Sequence, residues 1–151
     1  MIVCEYLDSF YSDNKLIPAD PYARARQQIT LDAFARVTAA YFKIVRTANP
    51  ESINDLNKSL EYFEKNLTSN FFGGETPTLV DYSMWPWFER FSFLKLLVEF
   101  ELDATRFPKL SAYIERMKKL PAVKTTCTNI EDLNEFHKSF VANKPDYDIN
   151  L

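Results

Sequence analysis

The 151-residue sequence predicts an all-α bundle of six or seven helices, and three observations carry that expectation. Glycine occurs twice, at the adjacent positions 73 and 74, where an average chain of this length would hold several. Apolar residues recur at spacings of three and four over long stretches, the period of one helix face. The eight prolines stand at the corners between those stretches, apart from Pro86. A sheet protein would need many more residues able to make tight turns.

Residues 1–11 carry Ile2, Val3, Tyr6, Leu7 and Phe10 at helical spacing, with no capping residue ahead of them. A helix without a start signal is the expected sign of a chain that lacks its natural beginning. A loop follows from Ser12 to Asp20, and Asp20-Pro21 opens the second helix with proline at its first position. That helix is predicted over 21–47, with a stripe of Ile29, Ala33, Val37, Tyr41 and Ile44 widened by Phe34 and Val45. Asn49-Pro50-Glu51 opens a third helix, whose Ile53, Leu56, Leu60, Phe63 and Leu67 suit antiparallel packing on a neighbour. Ser69-Asn70 and Gly73-Gly74 end it.

Thr78 and Asp81, three residues apart, predict a reciprocal capping box ahead of a central helix over 78–95. Pro77 and Tyr82 take the staple positions, and Pro86 is expected to kink the helix by removing a hydrogen bond. Phe107-Pro108 starts a further helix with Leu110, Tyr113, Ile114, Met117 and Leu120 inward; Lys118-Lys119 complement its dipole and Pro121 stops it. A short helix over 121–127 precedes a last one, capped by Thr128 or Asn129 and carrying Ile130, Leu133, Phe136 and Phe140. The chain is thus read as one helical domain: a lead-in over 1–11, a bundle over 21–142 and a tail over 143–151.

Composition excludes several functions. A formal charge of -3 leaves no footprint for nucleic acid or anionic lipid. Two glycines exclude glycine-rich nucleotide loops. Two Cys and one His are too few for a structural zinc site. No stretch reaches the length of a membrane span and no signal peptide is visible, so a cytoplasmic protein is expected. The matches to the glycosylation pattern at Asn57 and Asn66 are read as chance.

Little of the remaining chemistry is self-contained. Cys4, one turn from Leu7, is expected to be a buried inert thiol. Cys127 sits near a helix end with no fixed base. His137, among Asp132, Glu135 and Lys138, is expected to be solvated. Carboxylate pairs such as Glu61 with Glu64 have surface spacing. Arg90 stands apart: a cation beside Trp85, Trp87 and Phe88 is expensive unless paired or set at a cleft. Pairing with a carboxylate such as Glu89 and a ligand-facing role are both open.

The segment Gly74-Glu75-Thr76-Pro77-Thr78-Leu79-Val80-Asp81-Tyr82 resembles the capping motif of glutathione transferase C-terminal domains. The longer pattern of Phe71-Phe72-Gly73-Gly74, Asp81-Tyr82 and Trp85-Pro86-Trp87-Phe88-Glu89-Arg90 is similar to the omega class. Cys4-Glu5-Tyr6-Leu7-Asp8, Leu16-Ile17-Pro18-Ala19-Asp20-Pro21-Tyr22 and Asp146-Tyr147 follow in the same order.

That resemblance implies a partner that this sequence does not contain. The family's N-terminal thioredoxin-like domain binds glutathione as cosubstrate and supplies a catalytic Cys before proline and a Glu-Ser clamp, none of which is present here. No catalytic residue is therefore expected in this chain, and the chain alone should be inactive. It would instead contribute the wall of a small-molecule electrophile site: Arg90 at its border, Tyr41, Ile44 and Val45 on one helix, and Leu133 and Phe140 on the last. Leu133 falls where the class carries an aromatic residue and Phe140 where it carries a tyrosine, so weaker stacking and one hydroxyl fewer toward a bound ligand are expected there. The resemblance also implies a homodimer, no metal, and thiol transfer or dehydroascorbate reduction by the full-length protein. Without the partner domain, apolar surface near residues 1–10 and the second helix should be exposed. A stand-alone helical interaction module is the competing reading.

Overall fold

A computed structural model describes residues 2–11, 13–49 and 51–149. The expectations placed on Met1, Ser12, Pro50, Asn150 and Leu151 fall outside the described residues. Eight helices are present among them: α1 (Ile2–Tyr11), α2 (Pro21–Thr47), α3 (Ser52–Asn66), α4 (Leu79–Glu89), α5 (Phe91–Val98), α6 (Pro108–Met117), α7 (Pro121–Thr125) and α8 (Ile130–Val141). No strand occurs among the described residues, only an isolated bridge between Phe71 and Gly74. The all-α expectation holds.

The start signals work as their chemistry predicts. The Asp20 carboxylate accepts the Ala23 N–H at 2.7 Å, and Pro21 stands first in α2. Asn129 caps α8 by accepting the Glu131 N–H at 3.0 Å. Along α3, Leu56, Leu60 and Phe63 are buried and Ile53 half-buried, and the helix packs against α2. A chain of ring contacts forms the core: Phe34 lies 5.2 Å from Phe63 and 5.5 Å from Phe88, and Phe88 5.6 Å from Tyr113. Most of these rings meet edge to face, the favoured arrangement for aromatic pairs. Helix α4 is central, burying Val80, Asp81, Met84, Trp85 and Phe88.

The single helix expected over 78–95 is two helices. Pro86 is accommodated inside α4, and the interruption falls four residues later, at Arg90. There the Pro86 carbonyl is shared: it accepts the Arg90 N–H at 3.3 Å and the Arg90 guanidinium at 2.8 Å. The proline thus lies one turn upstream of the break, and that break accounts for the eighth helix.

Helix α1 meets one expectation and corrects another. Its apolar residues are exposed, as expected for the region near residues 1–10: Ile2 is 85% exposed, and Val3, Tyr6, Leu7 and Phe10 are exposed with it. Cys4, expected to be buried, is exposed on the same helix. The buried residue of α1 is Asp8, whose carboxylate accepts the Leu16 N–H at 2.7 Å and the Ile17 N–H at 3.3 Å. Two backbone donors in a dry place are what allow a carboxylate to be buried there. Leu16 in turn accepts the Leu79 N–H at 3.1 Å, so α1, the following loop and the start of α4 are tied in series. On α2, Ile29 is 57% exposed and leaves the predicted inward stripe, while Phe34, Val37, Ala40, Tyr41 and Ile44 are buried.

Candidate functional site

The site begins with the capping box that seats α4. The box is present in reciprocal form, but its two halves are unequal. The Asp81 carboxylate accepts the Thr78 N–H at 2.9 Å and also the amides of Phe72 at 2.8 Å and Gly73 at 3.0 Å. The other half is the Thr78 side chain accepting from the Asp81 N–H, and the Thr78 hydroxyl also makes a long contact, donating to the same carboxylate at 3.4 Å. Burial pushes the Asp81 carboxyl up, and these bonds pull it back. The Tyr113 hydroxyl is buried near the Asp81 carboxylate; burial first, and the Asp81 charge second, hold its pKa well above the ordinary value.

Two residues before the end of α4, Trp87 faces α2. Its ring lies 5.6 Å from Tyr41 and 5.3 Å from Phe42, both edge to face. The Arg90 guanidinium sits over the Trp87 ring at 5.9 Å, a cation–π distance. Tyr41 is buried; desolvation pushes its phenol up to about 12, while the Arg90 charge pulls it the other way. Arg90 is half-buried and no carboxylate pairs with it among the described residues. Glu89, the obvious candidate, instead accepts the Thr128 N–H at 3.3 Å. The two neighbouring side chains therefore diverge, one tying down the approach to α8 and the other remaining a cation on an aromatic bed.

The expected site residues divide. Tyr41 and Arg90 come together around Trp87. Val45 is half-buried one turn beyond Tyr41, with its carbonyl 3.4 Å from His137 Nε2 on α8. Ile44 is fully buried in the core and exposes no surface. Leu133 is half-buried. Phe140 is 54% exposed and belongs to a second aromatic group, 6.3 Å from Phe136, which in turn lies 5.6 Å from Tyr147 of the tail. His137, expected to be solvated, is half-buried, edge-on to Phe93 at 5.2 Å. Sequence reasoning set Trp87 beside Arg90 but did not count it among the site residues. Its spacing of three from Arg90 on one helix was the available signal.

Nucleophile and metal chemistry find little support. Cys127 is exposed, and its thiol is pushed up by burial and by Glu89, which favours the unreactive protonated form. Among the described residues no group of three or more His, Cys, Asp or Glu is placed to hold a metal ion. A separate cleft of about 570 Å³ lies between α4–α5 and α6–α7, lined by Trp85, Phe91, Phe100, Ile114, Val123 and Cys127 among others. It contains none of the expected site residues. No helix of the described residues is long and apolar enough to cross a membrane.

A helical bundle organised around a buried capping box, with a cation held over a central tryptophan, defines the class of domain. The chain belongs to the family described as glutathione S-transferase, C-terminal domain, whose model matches residues 22–116. Its sequence relatives include omega-class transferases: it is 32% identical to the omega-1 enzyme of Mus musculus over 97% of this chain, and 34% identical to that of Sus scrofa over 96%. It is also 32% identical, over 99% of its length, to pyrimidodiazepine synthase of Drosophila melanogaster. The chain spans about 62% of the length of these relatives. Two solved structures share the fold. The Tau class transferase of Mangifera indica superposes with a TM-score of 0.80 at 23% identity, covering 91% of this chain and 68% of that one. Rice GST1 in complex with glutathione gives 0.81 at 19% identity, covering 96% and 70%.

Proposed function

We propose that residues 1–151 act as one helical domain that supplies the electrophile-site wall of an omega-like glutathione transferase. In this reading a thioredoxin-like domain supplies the reactive thiol and binds glutathione, and the helical domain orients the second substrate. The observation that carries it is Arg90: a half-buried cation on the Trp87 ring, beside the protonated Tyr41 phenol, with no carboxylate to neutralise it among the described residues. A guanidinium and a phenol O–H are donors suited to a carbonyl or anionic oxygen of the substrate.

The chemistry proposed for the joined protein is thiol–disulfide exchange. A thiolate of the partner domain attacks a mixed disulfide, one S–S bond forms as another breaks, and glutathione resolves the product. With dehydroascorbate, the substrate gains two electrons and two protons as two glutathione thiols become one disulfide. The exposed apolar side of α1, together with Tyr22 and Ile29 of α2, suits the contact with that partner domain. Homodimerisation belongs to the same proposal.

Residues 1–151 alone should show no glutathione-dependent reduction of dehydroascorbate or of a glutathionylated peptide. The same chain fused behind a thioredoxin-like half from an omega-class relative should show both. Arg90→Ala in the fusion should raise KM about tenfold or more, the loss of one charge-assisted contact. Turnover by the isolated chain that disappears in Cys4→Ser or Cys127→Ser would overturn the assignment of the thiol to another domain.

A further inference from the structure

The end of α2 leaves a carbonyl without its helical donor. Val45 C=O would ordinarily accept from the N–H of Asn49, four residues on. Ala48 instead turns left-handed at φ 46° and closes on the Ile44 carbonyl at 2.8 Å. The Asn49 N–H then goes to the Thr47 hydroxyl at 3.3 Å. The group that reaches the Val45 carbonyl comes from 92 residues further along the chain: His137 Nε2, at 3.4 Å. A carbonyl only accepts, so this contact is a hydrogen bond when the ring hydrogen sits on Nε2. The carbonyl end of a long helix carries partial negative charge, which favours a donor there.

Helix α8 needs such an anchor because none of its residues is buried. Its beginning is held by the Glu89 carboxylate on the Thr128 N–H at 3.3 Å. Its middle is held by His137, on the Val45 carbonyl and edge-on to Phe93 of α5. Leu133, His137 and Phe140 follow one another at spacings of four and three, so they share one face of α8. We infer that His137 is a positioning residue: by donating from Nε2 to the Val45 carbonyl it seats α8 on α2 and α5, and so sets where Leu133 and Phe140 stand relative to Tyr41 and Arg90. The consequence for substrate rests on the electrophile-wall reading; the seating does not.

His137 is the only histidine of the chain, so its ring signals are unambiguous. In the full 151-residue chain, with the ring neutral, ring 15N–1H correlation should show hydrogen on Nε2. Amide exchange should show residues 133–141 protected. His137→Phe keeps a ring for Phe93 but has no donor, and should speed exchange across α8 about tenfold, the size of one hydrogen bond. His137→Gln, whose amide can donate from a similar reach, should restore most of the protection. If His137→Phe does not fold, His137→Leu, which also has no donor, takes its place. Hydrogen on Nδ1, or α8 exchange unchanged in the variant that lacks the donor, would overturn the inference. This readout needs no ligand, so it stands or falls separately from the Arg90→Ala assay.

Discussion

The Asp81 carboxylate accepts the backbone N–H of Thr78 at 2.9 Å, three residues before it in the chain. The same carboxylate gathers the amides of Phe72 and Gly73, so one buried side chain closes both the helix start and the turn ahead of it. Asp81→Ala leaves three part-buried donors without an acceptor and should remove about 3–4 kcal/mol of stability. Thr78→Ala should remove about 1 kcal/mol, an ordinary cap loss. Gly73→Ala tests the same corner from the other side, since a Cβ there would stand 2.2 Å from the Thr78 hydroxyl oxygen. Urea midpoints of the three variants should rank Asp81→Ala below Thr78→Ala, with Gly73→Ala also below wild type.

Glu64 makes the second cap of this kind, across the fold. From α3 its carboxylate accepts the first amides of α6, Lys109 N–H and Leu110 N–H, both at 2.9 Å. Glu61, one turn earlier, pairs with Arg106 in an exposed salt bridge. The two glutamates should therefore behave differently. Glu64→Ala should lower stability by about 1–2 kcal/mol, whereas Glu61→Ala should lower it by less than about 1 kcal/mol and lose even that in high salt. Equal losses measured by thermal melting would show that the α6 cap is not what Glu64 provides.

Tyr41 gives a pH-dependent signature. Its phenol is raised from 10.0 to about 12 in the folded protein, so the unfolded chain ionises first as pH rises. The stabilisation from neutral Tyr41 is complete below pH 10.0 and is lost as pH climbs through about 12. Absorbance titration of wild type and Tyr41→Phe should coincide through the ordinary tyrosine range and separate only above it. Arg90→Met should push the Tyr41 titration higher still, because the Arg90 charge is what pulls it down. A Tyr41 titration at the ordinary value would mean that the phenol is solvated.

Most of the architecture was legible in the chain itself. The 3–4 spacing of Leu56, Leu60 and Phe63, the Asp20-Pro21 start and the Thr78–Asp81 pair are local signals, and each worked where it stood. The candidate site was legible in part. Arg90 drew notice as a cation among aromatics, but Trp87 became visible as its platform only when α2 brought Tyr41 and Phe42 against the ring.

The failures share a cause. On α1 the apolar spacing marked a helix and its exposed face, yet periodicity gave Cys4 a buried place that it does not have and said nothing of Asp8, which is buried. Ile44 was read both into the inward stripe of α2 and as a substrate-wall residue, and the packing shows it fully buried. The position of the helix break at Arg90, the cap that Glu64 gives α6 and the reach of His137 to Val45 were settled by tertiary structure. Hydrophobic period and capping residues act within one turn, so a sequence carries them openly. Which donor meets which acceptor across 45 or 92 residues depends on how whole helices pack, and no local pattern encodes that.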